Sequence, residues 1–481
     1  MKRLPLALVA IMFFFQSVTR AENPWTEKVG PAVETAKHSR TIVAYRHALD
    51  VTYKADDWRA ALKLADVALA EYPDNAMLSG RLARAFWRGG QLENAEKIID
   101  SLEIDKADSP ALCAAIDVQL ARGNREAAFA AAKRLEKLNP ETAHELYYLL
   151  AVRLEQQNYA DLPEMVRKAE KLINPANGYP EIYLDEVLEG LPEFFEAIGP
   201  KPMNQIIRHG AADMPMISTL RLPYCSALIN GKGPYRLIVD TGGSITLSLD
   251  DDIAEELGLR SYGKAGIRGI SGKQDSEQSL VDELVIGDIV LSRVMTRTFA
   301  IPDMITVSAD GIIGTGLFAQ ARMTFDFEKG RLVIEPSSDT SAAGNEMPLR
   351  IVGDAKLIAP ILLQDRPALA LLDSGADVAA LSPGVLKELF PDHDPISLSA
   401  AGMGVGEGAA AGISLNPGVK LTCWNRTFEN YSGIGLDVLD DLLSPILGIQ
   451  TQVLVGMPIL RQLKTCTVDY PRRRMWTVWH E

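Results

Sequence analysis

Leu237-Ile238-Val239-Asp240-Thr241-Gly242-Gly243-Ser244 is an apolar run that delivers an Asp-Thr-Gly triplet, and Ala370-Leu371-Leu372-Asp373-Ser374-Gly375-Ala376-Asp377 repeats the design with Asp-Ser-Gly. One such triplet says little, because Asp and Gly are common turn residues. What trails each triplet makes the pair informative. A helix-like stretch follows in both, Asp251 to Leu257 and then Pro383 to Leu389. A Gly-rich, turn-prone segment comes next, Gly266 to Gly272 in the first copy and Gly402 to Gly408 in the second. Then an apolar pair meets glycine, as Ile312-Ile313-Gly314 and Leu454-Val455-Gly456. Thr324-Phe325-Asp326-Phe327 and Thr467-Val468-Asp469-Tyr470 follow, and each copy closes on a predicted hairpin strand, Arg331 to Ile334 or Met475 to Val478. The same features in the same order twice indicate an internal duplication: two β-rich lobes, over residues 213–338 and 345–481.

This pattern resembles the retropepsin and pepsin class of aspartic proteases, in a bacterial-type version with both lobes on one chain. The resemblance covers about residues 213 to 481 and implies an all-β, two-lobed acid-protease fold. It implies that Asp240 and Asp373 are a catalytic pair facing each other across a pseudo-twofold axis, with a water between them. One carboxylate takes a proton from that water while the other, protonated, donates to the scissile carbonyl. Like charges ~3 Å apart repel by several kcal/mol even at an effective dielectric near 20, so the pair holds one proton between them. In the family the hydroxyl after each Asp bonds across to the other lobe, and Thr241 and Ser374 match those positions. Gly242 and Gly375 allow tight turns and close approach to the carboxylates. The Gly-rich segments match the flap, a hairpin that closes over an extended peptide substrate by a form of strand addition. Gly269, Ile270 and Ser271 are the matching residues of the first lobe, and Gly404, Val405 and Gly406 those of the second.

The copies also differ. Gly243-Ser244 follows the first triplet and Ala376-Asp377 the second, so the lobes are not equivalent, and Asp377 either pairs with an arginine or faces water. A pepsin-type flap tyrosine is missing, which favours the retropepsin-like end. The alternative to catalysis is an inactive relic that binds peptide without cutting it. Two intact triplets argue against decay, since carboxylates that repel are costly to keep without use.

The chain before residue 200 follows a different grammar, a helical period rich in Ala, Leu, Glu and Lys. Breaker residues from Glu189 to Pro202 mark the boundary. The blocks Asp57-Trp58-Arg59-Ala60-Ala61, Gln91-Leu92-Glu93-Asn94-Ala95, Asn124-Arg125-Glu126-Ala127-Ala128 and Asn158-Tyr159-Ala160-Asp161-Leu162 end 34, 33 and 34 positions apart. This resembles tetratricopeptide repeats over about residues 40 to 170, implying an all-α solenoid in a domain spanning residues 25–200. A plain helical bundle is the other reading. Stacked repeats commonly offer a protein-binding face, so they would recruit a substrate or partner, or else cover the cleft as a built-in inhibitor. The expected whole is multidomain: a helical repeat followed by the β protease lobes.

Residues 1–21 read as a secretory signal. Lys2 and Arg3 precede an apolar run from Leu4 to Phe15, and Ala21 is a plausible cleavage point. An uncleaved anchor is the alternative. No later run reaches the ~20 apolar residues of a spanning helix, so the mature chain is expected to be exported without stable membrane insertion, with the periplasm the expected destination. The net charge of −14 argues against nucleic acid as a partner. The six histidines show no metal-ligand spacing, and no cofactor motif appears, so neither metal nor cofactor is expected. Four cysteines are no disulfide framework; burial as small apolar residues is expected, with Cys423–Cys466 a possible pair in one lobe.

Overall fold

The computed structural model describes residues 23–481 except 217–220, 270–271, 302–304, 306–307, 393–395, 399–412, 416–417 and 433. The secretory signal expected at residues 1–21 lies outside the described residues. No helix among those described is long and apolar enough to cross a membrane.

The chain divides into two compact units. The first is helical. Antiparallel pairs follow one another: Ile42–Lys54 with Trp58–Glu71, Ala76–Arg88 with Leu92–Asp100, Ser109–Arg122 with Arg125–Lys137, and Ala143–Glu155 with Leu162–Leu172. Side-chain caps explain where many of them start. Asp57, Asn75, Asp108, Asn124 and Thr142 each accept a backbone amide of the first turn, and Thr142 with Glu145 forms a capping box. The four sequence blocks thus open the second helix of each pair. Their aligned residues Ala61, Ala95, Ala128 and Leu162 are all buried. Close packing uses glycine too: a Cβ on Gly80 would stand 2.3 Å from the Cα of Ala111. Arg81 ties three helices by pairing with Asp50 at 2.9 Å and with the cap Asp108 at 2.8 Å.

This unit also takes in Ser444–Gln450, which lies within the second duplicated copy in sequence. Tyr179 Oη donates to the Pro445 carbonyl at 3.0 Å, and the Gln450 amide donates to the Arg88 carbonyl at 2.9 Å.

The second unit holds both β lobes. In the first, Lys232–Asp240 lies antiparallel to Tyr224–Ile229 and parallel to Gly311–Gly314, which is antiparallel to Leu247–Leu249 on its other side. In the second, Arg366–Leu372 lies antiparallel to Lys356–Leu363 and parallel to Val453–Val455, which is flanked in turn by Ala380–Leu381. The duplication is therefore structural as well as sequential. The short helices fall at Asp251–Leu257 and Pro383–Leu389, started by Asp250 and Ser382 as caps. The first lobe begins earlier than residue 213, because Gln205–Arg208 joins its sheet.

A six-stranded sheet joins the lobes. Ala321–Asp326 pairs with Leu463–Asp469, with Thr324 opposite Thr467 and their hydroxyls 2.9 Å apart. In the same ladder Arg322 faces Asp469, and the two form an ion pair at 3.0 Å with side chains only 5 % and 0 % exposed. One continuous apolar core runs through both lobes. Cys113, Cys225, Cys423 and Cys466 are all free and buried, so the Cys423–Cys466 pairing left open by the sequence is not made. Burial pushes the Cys423 and Cys466 thiols up to about 12, leaving them protonated small apolar residues.

Candidate active site

Each acidic residue stands at the end of its lobe's central strand. Parallel pairing sets Asp240 beside Gly314, and Asp373 donates its amide to the Val455 carbonyl at 3.0 Å. The apolar-apolar-glycine segments are thus the inner neighbours of the two acidic loops. Their glycines are steric necessities. A Cβ on Gly314 would stand 1.7 Å from the Ser244 carbonyl oxygen, and one on Gly456 would stand 1.8 Å from that of Val378. The loop leaving each triplet folds directly over its glycine.

Thr241 and Ser374 lock the two loops together. Thr241 Oγ1 donates to the Leu372 carbonyl and accepts the Ser374 amide, both at 2.9 Å. Ser374 Oγ returns the arrangement, donating to the Val239 carbonyl at 2.7 Å and accepting the Thr241 amide at 2.9 Å. All four bonds are buried and cross the lobe boundary, where an orphaned amide would cost about 1–3 kcal/mol.

That lock brings the carboxyls together. Their side chains lie within hydrogen-bonding reach of each other. Asp240 Oδ1 accepts the Gly242 amide at 2.8 Å, Asp373 Oδ1 accepts the Gly375 amide at 2.9 Å, and the Gly375 amide also reaches Asp240 Oδ1 at 3.2 Å. The second oxygen of each carboxyl accepts no hydrogen bond from a described residue. Gly242 and Gly375 do not need glycine for a left-handed turn. A Cβ on Gly242 would stand 2.5 Å from Asp373 Cγ, and one on Gly375 would stand 2.5 Å from Asp240 Cγ. Each glycine makes room for the carboxyl of the opposite lobe.

Both aspartates are 0 % exposed. Burial pushes Asp240 up to about 6; the hydrogen bond with Asp373 opposes that push most, followed by the charge of Lys356 and the amides of the Asp240 loop. Asp373 is raised well beyond the ordinary carboxylate range, first by burial and then by the Asp240 charge. Two acids at different strengths, sharing donors, can hold one proton and one negative charge together. Asp377, next along the second loop, is half-buried; burial raises its carboxyl while the charges of Arg461 and Arg221 act against the rise.

The first Gly-rich segment forms a hairpin, Lys264–Gly269 with Gly272–Ile286, in which Gly269 faces Gly272. Ile270 and Ser271 lie outside the described residues, as do Gly404, Val405 and Gly406 of the second segment.

One neighbour of the pair escaped sequence reading. Lys356 is 0 % exposed, and its ammonium donates to the Gly243 carbonyl at 2.6 Å and the Asp354 carbonyl at 3.3 Å. Nothing local marks it, since Asp354-Ala355-Lys356 reads as an ordinary solvated turn. Only alignment of the two copies would have drawn attention to it, because the first copy has Leu222 there.

Residues 225–317, which include Asp240, match a family model of aspartyl proteases, and residues 53–116 match a tetratricopeptide repeat model. No curated protein matches the chain. The chain carries an aspartyl protease domain behind a run of tetratricopeptide-repeat helices.

Proposed function

We propose that the chain is an exported aspartic endopeptidase that hydrolyses peptide bonds through Asp240, Asp373 and an activated water. The observation that carries this reading is the pair itself: two buried carboxyls within hydrogen-bonding reach, held by reciprocal Thr241 and Ser374 bonds. Water attacks the scissile carbonyl carbon, one carboxylate takes the water's proton, and the other carboxyl delivers its proton to the carbonyl oxygen. Positioning by two strands and a hydrogen-bonded seam supplies the fixed geometry that such a step needs. Substrate binds as an extended strand, with the Gly269 hairpin and the Gly404 segment as flaps. The helical repeats recruit a substrate or protein partner. Export rests on the Lys2-Arg3 start, the Leu4 to Phe15 apolar run and Ala21.

Complete burial of both carboxyls favours a second reading, in which the β unit binds peptide in a closed form without cutting. Under the protease reading, the site must open for substrate to reach the acids. The two readings part on purified full-length protein and a library of unstructured peptides, assayed from acid to neutral pH. Cleavage blocked by a statine-type transition-state mimic and lost in Asp240→Asn and Asp373→Asn is the expected result. Peptide binding with no cleavage at any pH in that range overturns the endopeptidase reading.

A further inference from the structure

The two lobes build matching cradles for their carboxyls, yet one buried cation breaks the match. In the first lobe Tyr224 pairs with Ile238, two residues before Asp240; in the second Ile358 pairs with Leu371, two before Asp373. Extending both registers by two residues sets Leu222 opposite Asp240 and Lys356 opposite Asp373. Both side chains are 0 % exposed. The carbonyls that follow the triplets are treated accordingly. That of Ala376 accepts the backbone amide of Met457 at 2.8 Å, whereas that of Gly243 accepts the Lys356 ammonium at 2.6 Å.

A lysine is rarely fully buried unless charges nearby compensate it. Burial lowers the Lys356 ammonium below its ordinary value; of the groups that face it, Asp354, Asp240 and Asp373 act against that fall and favour the ammonium, and Arg297 adds to it. Asp354 is itself engaged at the seam, accepting the Ile245 amide at 3.2 Å. The ammonium therefore sits behind the Asp240 loop, bonded to the carbonyl of Gly243, whose amide donates to the Asp240 main-chain carbonyl at 3.4 Å.

Resting on the endopeptidase reading, we propose that Lys356 is the positioning residue that makes the two acids unequal: its ammonium holds the negative charge on Asp240 and leaves the shared proton on Asp373. Asp240 is then the base that takes the proton from water, and Asp373 the acid that gives its proton to the carbonyl oxygen. The same charge lowers the pH at which the pair first ionises, so it sets the acid limb of activity. Burial raises both carboxyls, and Lys356 acts against that rise on each.

The test is the pH profile of kcat/KM for Lys356→Met and Lys356→Arg beside the wild type. Loss of the charge in Lys356→Met moves the acid limb up by about one pH unit. Lys356→Arg, which keeps the charge, leaves the limb where it was, within a few tenths of a unit. A uniform loss of kcat/KM in Lys356→Met with both limbs unmoved means a merely structural lysine and overturns the proposal. A second measurement does not depend on turnover or on folding of that variant. Carboxyl-carbon NMR of aspartate-labelled wild-type protein, assigned through Asp240→Asn and Asp373→Asn, reads each acid directly. An ionised Asp240 beside a protonated Asp373 near pH 7 is expected; the reverse, or equal sharing, overturns the assignment. Cleavage that survives Asp240→Asn would sink the endopeptidase reading instead, and the same spectra of Lys356→Met still decide the role of Lys356: a proton that stays on Asp373 as in the wild type overturns it.

Discussion

Replacing Asp240 by asparagine should stabilise the β unit at neutral and alkaline pH and do little in acid. Asparagine keeps the size of the side chain and an oxygen to accept the Gly242 amide, but it cannot ionise. In the wild type, burial carries the Asp240 carboxyl from an ordinary 3.8 to about 6. Below pH 4 the folded and unfolded chains both keep this proton, and no penalty arises. Between pH 4 and 6 the folded state retains a proton that the unfolded state has released, so wild-type stability falls as pH rises. Above pH 6 the loss is complete. A rise of roughly two units at about 1.4 kcal/mol each makes the penalty about 3 kcal/mol from Asp240 alone. Asp373, raised further by the same burial and by its neighbour's charge, adds to the fall at higher pH. Urea denaturation of wild type and Asp240→Asn, followed by tryptophan fluorescence, measures the difference. Trp476 and Trp424, buried in the β lobes, report on the relevant unit. The variant should gain about 3 kcal/mol at pH 8 and almost nothing at pH 4. A gain that is the same at both pH values, or a variant weaker than wild type at pH 8, refutes the claim that these carboxyls are held against their preferred ionisation.

Three further substitutions probe the frame around the pair. Thr241→Val strands the buried Ser374 amide and the Leu372 carbonyl and should cost about 1–3 kcal/mol in urea denaturation, most of which Thr241→Ser restores. Arg322→Met leaves Asp469 charged and buried at the joint between lobes, with a loss of about 3–5 kcal/mol of β-unit stability in the same assay. Gly80→Ala drives a methyl into the Ala111 backbone and should cost about 1–3 kcal/mol in the helical unit. Hydrogen exchange should then quicken in Ala76–Arg88 and Ser109–Arg122 but not in Arg366–Leu372.

What could be read from the sequence was whatever local chemistry decides. The short helices stand at Asp251–Leu257 and Pro383–Leu389 because a capping residue precedes each and Gly258 or the Phe390 turn ends it. The closing hairpin strands and the openings of the repeat helices were legible on the same grounds. Features set by distant partners were not. Gln205–Arg208 is a sheet strand only because Ile289–Thr298 offers it an edge, and Ser444–Gln450 belongs with the helices only because Arg88 and Tyr179 bond to it. For Gly242 and Gly375 the expected close approach to the carboxylates holds, and the expected need for a tight turn does not. Their need for glycine comes from the carboxyl of the other lobe, not from their own turns.

Lys356 is the most instructive case, since its partner carbonyl lies 113 positions away. A duplicated sequence imposes the same cradle on both acids, and identical cradles cannot tell a proton donor from an acceptor. Hydrolysis needs that distinction at the moment water attacks, because one carboxyl must receive a proton as the other gives one up. In a symmetric pair of identical chains, substrate alone would have to supply it. On a single chain the copies are free to diverge, and a charge placed behind one loop supplies it before substrate arrives. Residues such as Lys356 and Leu222, where aligned copies disagree inside an otherwise matching core, are therefore where functional asymmetry should be sought in a duplicated fold.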